Sequence, residues 1–292
     1  MTGDFTYFAP ANLKEAINIL ASTENVRIIA GGTDLIPRMR RGAIRPSLLV
    51  DLRLLLLDEI RVERERICIG SYVTHSQISE SDIMNRNYPA LVAACREIGS
   101  PSIRNRATVG GNLVTASPAA DTAPPLLVYE ASVLLVGKDT KREVPLNDFF
   151  RGPGQTTMKQ NELLVEVCLP LMPENTAAKY LKLGKRRALA ISVVNAAVRL
   201  TLGEKRDINQ ACIALGSVAP TPYRAADAEK IMGGQMLSED LIIKAAMEAS
   251  RSAKPISDIR AGADYRRKMV EVLVRRSLLH AWSELSEAVG HG

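Results

Sequence analysis

The feature that most constrains the fold of this chain is a change in hydrophobic pattern along its length. In the first hundred residues, short β-branched runs alternate with apolar residues at helical spacing, such as Leu13, Ala16, Ile17 and Leu20. Three strand-like runs then follow one another, at Ala177–Gly184, Ile191–Leu202 and Ile208–Val218. Three helical stretches finish the chain, the first after Thr221-Pro222 and the second from the N-cap Ser238. This order predicts a mixed α and β protein whose second part keeps its strands and helices in separate segments.

Prolines mark a division within the chain. The strand-like run from Leu163 to Leu169 is followed by Pro170 and Pro173, and proline is a poor continuation of a sheet. We therefore predict a first region at 1–173, with subdomains at about 1–54 and 55–173, and a second domain at 174–292. A length of 292 residues is compatible with such a division.

Composition excludes several classes of protein. Hydrophobic residues make up 46% of the chain and charged residues 24%, which is typical of a globular protein and excludes a disordered or fibrous one. The longest apolar stretches are far too short to cross a bilayer, and Asp4 and Pro10 interrupt any signal peptide. We expect a cytoplasmic protein with no transmembrane segment.

Cysteine spacing and charge bear on metals and nucleic acids. Cys68, Cys95, Cys168 and Cys212 are scattered, so neither a structural zinc site nor an iron–sulfur cluster is expected, and the last three are predicted to be reduced core thiols. The net charge of +6 favours anionic ligands or partners. Because only 4% of residues are aromatic and none interleaves with the basic clusters, nucleic-acid binding is not predicted.

Two segments concentrate small residues where a strand should end. They are Ile28-Ile29-Ala30-Gly31-Gly32-Thr33-Asp34-Leu35, the first loop, and Thr108-Val109-Gly110-Gly111-Asn112, the second loop. Paired glycines let the backbone approach a ligand closely, and consecutive N–H groups can then bind an anion, with hydroxyls of Thr33, Thr108 and Thr115 as further donors. Neither loop is a Rossmann fingerprint or a P-loop. The residues alone thus indicate an α/β protein that binds a phosphorylated ligand through two loops.

The order of these motifs is similar to that of a known family. The chain resembles the FAD-binding (medium) subunit of molybdenum hydroxylases, the carbon monoxide dehydrogenase and xanthine dehydrogenase family. Its matching segments include the two loops, Phe8-Ala9-Pro10, Ile98-Gly99, Ser117-Pro118, Asp121 and Ala263-Asp264-Tyr265-Arg266-Arg267. The resemblance implies an α+β fold: a two-part FAD-binding region of the vanillyl-alcohol-oxidase type, then a C-terminal domain with a three-stranded antiparallel sheet and helices.

The resemblance also implies a set of cofactor contacts. The FAD diphosphate would lie against the two loops, Ile98 and Gly99 would line the nucleotide, and Asp121 would lie at the flavin side. Leu164 and Lys182 match two further contacts, and Lys182 is a candidate cation beside flavin N1. The chain departs from many relatives at 188–191, where Ala-Leu-Ala-Ile replaces an Asp or Gly-Asp. No catalytic residue and no metal ligand is expected from this chain, because the flavin supplies the chemistry.

The implied function is electron transfer. In the family, a large subunit with a molybdenum cofactor hydroxylates the substrate, and a small subunit with [2Fe–2S] clusters passes electrons to FAD, then to NAD, a quinone or another acceptor. The expected assembly is a dimer of heterotrimers. Two alternatives stay open: a stand-alone FAD-dependent oxidoreductase, which would turn over substrate without partners, and a basic binding module without cofactor, which would show no flavin spectrum.

Overall fold

The computed structural model describes residues 4–186 and 188–287, and its chain begins with a small parallel sheet. The elements of this part are β1 (Thr6–Phe8), α1 (Leu13–Ser22), β2 (Val26–Ile29), α2 (Leu35–Arg40) and β3 (Leu48–Asp51). The strands lie in the order β1-β3-β2. Helix α1 starts where the side chain of Asn12 accepts a hydrogen bond from the N–H of Glu15, and it buries the predicted apolar face against the sheet. The carboxyl end of β2 leads directly into the first loop.

The middle part of the chain forms an antiparallel sheet with helices on one face. Its elements are β4 (Ile60–Val62), β5 (Arg66–Gly70), α3 (His75–Glu80), α4 (Asp82–Asn87), α5 (Pro89–Glu97), α6 (Pro101–Arg104), α7 (Val109–Thr115), α8 (Ala123–Val128), β6 (Ser132–Val136), β7 (Lys141–Pro145), the hairpin β8 (Phe150–Gly152) and β9 (Gln155–Thr156), and β10 (Leu163–Pro170). The sheet order is β4-β5-β10-β6-β7. Alternate residues of β10 point to opposite faces, so Leu164 joins the helical core whereas Leu163 and Val165 pack against the parallel sheet.

The last part of the chain is a second antiparallel sheet followed by helices. Its elements are β11 (Thr176–Leu183), β12 (Val194–Leu202), β13 (Ile208–Gly216), β14 (Tyr223–Arg224), α9 (Ala226–Met232), α10 (Glu239–Ser252) and α11 (Ala263–Glu287). One face of this sheet packs against the helices of the middle part and the other against α10 and α11. Residues 1–3, 187 and 288–292 of the predicted domains lie outside the described residues.

Most predicted elements are present, but this second sheet corrects the prediction of three strands. Within the described residues it has the order β11-β12-β13-β14, because β14 pairs with Ala214 and Leu215 of β13. Arg224 is held there by ion pairs with Glu130 and Glu229. A strand of two residues has no recognisable period, so the sequence predicted a helix directly after Pro222. Strand β12 also begins at Val194 and not at Ile191, since 191–193 lie outside any strand.

The prediction for the thiol of Cys168 was wrong. Cys68 on β5 and Cys168 on β10 are directly opposite each other on neighbouring antiparallel strands, with Cα atoms 4.2 Å apart, and they form a disulfide. The two positions are 100 residues apart in sequence. Only the strand register brings them together. Cys95 and Cys212 are buried free thiols, as predicted.

No helix within residues 4–186 and 188–287 combines the length and the apolar character needed to cross a bilayer.

Candidate functional site

The first loop lies at the carboxyl end of the parallel sheet, an edge where α/β proteins commonly bind ligands. Gly32 has φ +73°, a backbone conformation that favours glycine. Among the described residues, the N–H groups of Gly31, Gly32 and Thr33 donate no hydrogen bond to a protein acceptor, and all three residues are partly exposed. Three successive unpaired donors fit an anionic group such as a diphosphate. The first loop therefore leaves these N–H groups free to donate to a ligand.

The second loop differs from the prediction. It forms the start of α7, and its N–H groups already have protein acceptors: Val109 donates to Val73 O, Gly110 to Ser71 O, Gly111 to the Thr108 hydroxyl and Asn112 to Thr108 O. The Thr108 hydroxyl is the N-cap of this helix and is buried, and the Asn112 side chain accepts a hydrogen bond from Thr122. Thr115 ends the helix, seven residues from that cap. This loop offers a close backbone surface at Gly111, not a row of free donors.

One glycine of each loop is required first by packing within the protein. A Cβ on Gly31 would lie 1.8 Å from Arg106 O, just before the second loop. A Cβ on Gly110 would lie 2.6 Å from Ser71 Cβ. Because real Cβ atoms do not approach so closely, neither position tolerates a side chain without a backbone shift. Gly31 thus holds the first loop against the residues that lead into the second.

Ile98 and Gly99 form the turn between α5 and α6. Gly99 has φ +49°, and its carbonyl accepts a hydrogen bond from the N–H of Leu189, which lies shortly before β12. The preceding carbonyl, that of Ile98, accepts one from Arg104. The turn predicted to line the nucleotide therefore touches the last part of the chain.

Asp121 is a buried carboxylate that binds several donors at once. Its Oδ2 lies 2.6 Å from Lys182 Nζ, and both side chains are almost completely buried. Its Oδ1 accepts hydrogen bonds from three further side chains: Tyr180 OH at 2.9 Å, Ser192 Oγ at 2.5 Å and Asn195 Nδ2 at 2.9 Å. A buried carboxylate is stable inside a protein when a counter-ion and hydrogen-bond donors surround its oxygens in this way. We call these five residues the Asp121 network.

This network changes the interpretation of Lys182. The sequence suggested a cation beside the flavin, but its ammonium group is paired with Asp121 and also donates to Glu97 O at 3.0 Å. Its positive charge is therefore balanced within the protein. The two predicted contacts, which lie 61 residues apart, form one ion pair.

Sequence reasoning missed Tyr180, Ser192 and Asn195. Tyr180 and Lys182 are two residues apart on β11, so their side chains lie on the same face of the sheet. This spacing could have identified Tyr180 from the sequence. Ser192 and Asn195 gave none, because they lie at the end of a loop and the start of a strand. Leu164 lies apart from these groups, because the residue is only 2% exposed and belongs to the helical core.

A buried histidine lies behind the second loop. His75 begins α3, its N–H donates to Ala107 O, and its Nδ1 lies 3.7 Å from Cys95 Sγ. Burial lowers the pKa of His75 to about 4, an effect that the nearby negative charge of Asp121 partly opposes. The imidazole is therefore neutral at pH 7.

We predict that Lys182→Met lowers the free energy of unfolding by about 3 kcal/mol, because it leaves the Asp121 carboxylate buried without its counter-ion. The double variant Lys182→Met/Asp121→Asn should recover much of that loss. Lys179→Met is the matched control, since Lys179 lies on the same strand and its partner Glu284 is partly exposed. Urea unfolding of the four proteins measures the effect. Equal losses in Lys182→Met and the double variant would contradict it.

The second prediction concerns pH. Below about pH 6.5 the unfolded chain protonates His75, whereas the folded chain does so only near pH 4. Stability should therefore fall as the pH is lowered from 6.5 to 4, with a slope of up to about 1.4 kcal/mol per pH unit from this group. His75→Gln should remove that part of the slope in urea titrations at several pH values. His280→Gln, at an exposed position, is the control, and an unchanged slope in His75→Gln would refute the assignment.

Two family models match most of this chain, one in each part of the fold. Residues 3–172 match the family described as the FAD binding domain in molybdopterin dehydrogenase. Residues 179–281 match the CO dehydrogenase flavoprotein C-terminal domain. The glyceraldehyde dehydrogenase medium chain of Sulfolobus acidocaldarius is 31% identical over 94% of this chain and 97% of its own length. The xanthine dehydrogenase FAD-binding subunit of Escherichia coli is 31% identical over 94% and 95%.

Solved structures give the same result. A chain of the carbon monoxide dehydrogenase from Hydrogenophaga pseudoflava matches with a TM-score of 0.93 and 30% identity, covering 97% of this chain and 99% of that one. A chain of quinoline 2-oxidoreductase from Pseudomonas putida 86 matches with a TM-score of 0.91 and 29% identity, covering 98% and 99%. With both family matches in sequence order and the fold shared throughout, the chain belongs to the FAD-binding medium subunits of the molybdenum hydroxylase family, the flavoprotein oxidoreductase subunits of the carbon monoxide and xanthine dehydrogenase type.

Proposed function

We propose that this subunit passes electrons from the [2Fe–2S] clusters of a small partner subunit, through FAD, to an acceptor such as NAD or a quinone. A large subunit with the molybdenum cofactor would oxidise the substrate, and the complex would be a cytoplasmic dimer of heterotrimers. The observation that carries the proposal is the first loop, whose unpaired N–H groups lie at the carboxyl edge of the parallel sheet. A flavin supplies the ability to accept electrons singly and release them as a pair.

The residues of this chain would hold the cofactor in defined places. We propose that the N–H groups of the first loop, 28–35, bind the diphosphate and that Gly111 allows the second loop, 108–112, to approach it. Ile98 and Gly99 would line the nucleotide. Asp121 and Lys182 would lie at the flavin side, where the ion pair keeps the local charge near neutral. Thr115 and the main chain of Leu164 would complete the site, and we retain 1–173 and 174–292 as its two domains, the first of the vanillyl-alcohol-oxidase type.

The names of the relatives favour a subunit over a stand-alone enzyme. Relatives are named as a medium chain, an FAD-binding subunit, or the alpha subunit of a 6-hydroxypseudooxynicotine dehydrogenase complex in Paenarthrobacter nicotinovorans. These names support an electron-transfer role.

The cofactor site predicts a specific effect of Gly111→Ala. Gly111 is exposed in the first turn of α7, and a Cβ there would meet only the Thr108 hydroxyl, at 3.0 Å. The fold should therefore survive, while the methyl group intrudes on the diphosphate and raises the Kd for FAD about tenfold. Flavin fluorescence during titration of the FAD-free chain gives the Kd.

The matched control is Gly233→Ala, since a Cβ at that position would meet only Lys230 O, at 4.0 Å. This variant should bind FAD like the wild type. An unchanged Kd in Gly111→Ala would remove the second loop from the site and leave the first loop as its phosphate-binding part.

The electron-transfer role predicts a difference between the isolated subunit and the complex. In the complex, substrate should bleach the flavin absorbance only after the [2Fe–2S] clusters have been reduced. The isolated subunit loaded with FAD should remain oxidised, because it contains neither the molybdenum centre nor the clusters. Stopped-flow absorbance of both preparations gives the test. Substrate turnover by the isolated subunit would favour the stand-alone oxidoreductase instead.

A further inference from the structure

A second group of charges, at the start of α11, lies close to the Asp121 network. Its centre is Asp258, whose carboxylate accepts hydrogen bonds from the side chains of Arg260 and Arg266. Arg266 belongs to the segment 263–267 that the sequence singled out, and it is 1% exposed. Hydrogen bonds from Arg260 and Arg266 hold the pKa of Asp258 well below its usual range, so this carboxylate is charged.

Arg260 connects Asp258 to one side of the Asp121 network. Its Nε and Nη2 bind Asp258 at 3.0 and 2.7 Å, and its Nη1 donates to Ser192 O at 3.3 Å. The hydroxyl of the same serine donates to Asp121 Oδ1. Arg260 therefore fixes the main chain of a residue whose side chain binds Asp121.

Arg266 connects Asp258 to the segment that precedes Asp121. Its Nη2 binds Asp258 at 2.5 Å and its Nη1 donates to Ser217 O at 2.9 Å. The N–H of Ser217 donates to Pro118 O at 2.7 Å, three residues before Asp121. Ser217 has φ +65°, which a serine rarely adopts unless its surroundings hold it there.

We propose that Asp258 is a positioning residue for the flavin site. Through Arg260 and Arg266 it holds Ser192 and Ser217, which are two separate supports of the segment 118–121. Asp258 touches no proposed FAD contact itself. Its effect reaches the site through the orientation of the Asp121 carboxylate, so the inference rests on the proposed flavin site.

Replacing Asp258 by Asn removes the charge that both guanidinium groups share. Arg266 would then be buried without a counter-ion, and both supports of 118–121 would loosen. We expect Asp258→Asn to raise the Kd for FAD about fivefold to tenfold, in the range of coupling between residues of one network. Asp264→Asn is the matched control, because Asp264 is fully exposed at the start of α11 and binds only Arg267. It should leave the Kd unchanged.

A double-mutant cycle separates positioning from a general loss of stability. Ser192→Ala removes the hydroxyl through which the Arg260 side acts on Asp121. In that background Asp258→Asn should raise the Kd less than it does in the wild type. If Asp258→Asn does not fold, Arg260→Gln takes its place in the cycle, since Arg260 is partly exposed and its loss buries no unpaired charge at that position.

The measurements are the Kd for FAD, the absorption spectrum of the bound flavin and the thermal midpoint of each variant. A wild-type Kd in Asp258→Asn, or the same increase with and without Ser192→Ala, would overturn the positioning role. A wild-type chain that binds no FAD would instead overturn the proposed function, so the two failures are distinguishable.

Discussion

The site depends on one buried carboxylate. Asp121 is contributed by the middle part of the chain, whereas Tyr180, Lys182, Ser192 and Asn195 come from the last part. A buried ion pair adds little net stability compared with apolar packing, but removing one partner is costly. The network therefore fixes how the two parts meet more than it strengthens the fold. The proposed flavin site depends on that alignment.

Backbone packing supplies the second constraint. The first and second loops were expected to come together because both would bind one diphosphate. In the structure they are already held together by the protein, since Gly31 lies against the carbonyl of Arg106 and Gly110 against Ser71. The first loop retains free N–H donors, whereas the donors of the second loop are bonded to Thr108 at the start of α7 and to the carbonyls of Ser71 and Val73. Preorganisation of this kind lowers the ordering cost of binding a cofactor.

A buried ionic group outside the site has a related role. Asp258 lies on no predicted motif, yet its two arginines lead to both supports of the segment that carries Asp121. In the sequence, Arg266 belongs to the matching C-terminal segment 263–267. Its burial shows why an arginine occupies that turn of α11: it links the helix to the main chain of Ser217. The last helix thus contributes to the site without reaching it.

Much of the fold could be predicted from the sequence, because local patterns determine most of its elements. The helix that begins at Leu13, the strand that begins at Leu163 and the helix capped by Ser238 are all present. The exceptions are elements that depend on distant partners. Strand β14 exists because Arg224 pairs with Glu130, and the Cys68–Cys168 disulfide exists because β10 lies between β5 and β6. Neither leaves a periodic signal in the sequence.

The same distinction applies to the site. The sequence alone determined where the chain can form tight glycine loops and, by resemblance, which positions belong with FAD. Only the tertiary structure decided which loop keeps free donors, that Lys182 is neutralised by Asp121, and that Tyr180, Ser192 and Asn195 complete the group. The physical reason is that hydrogen bonds and ion pairs are short-ranged. A residue's chemistry is therefore set by neighbours that only the folded chain brings within a few ångströms.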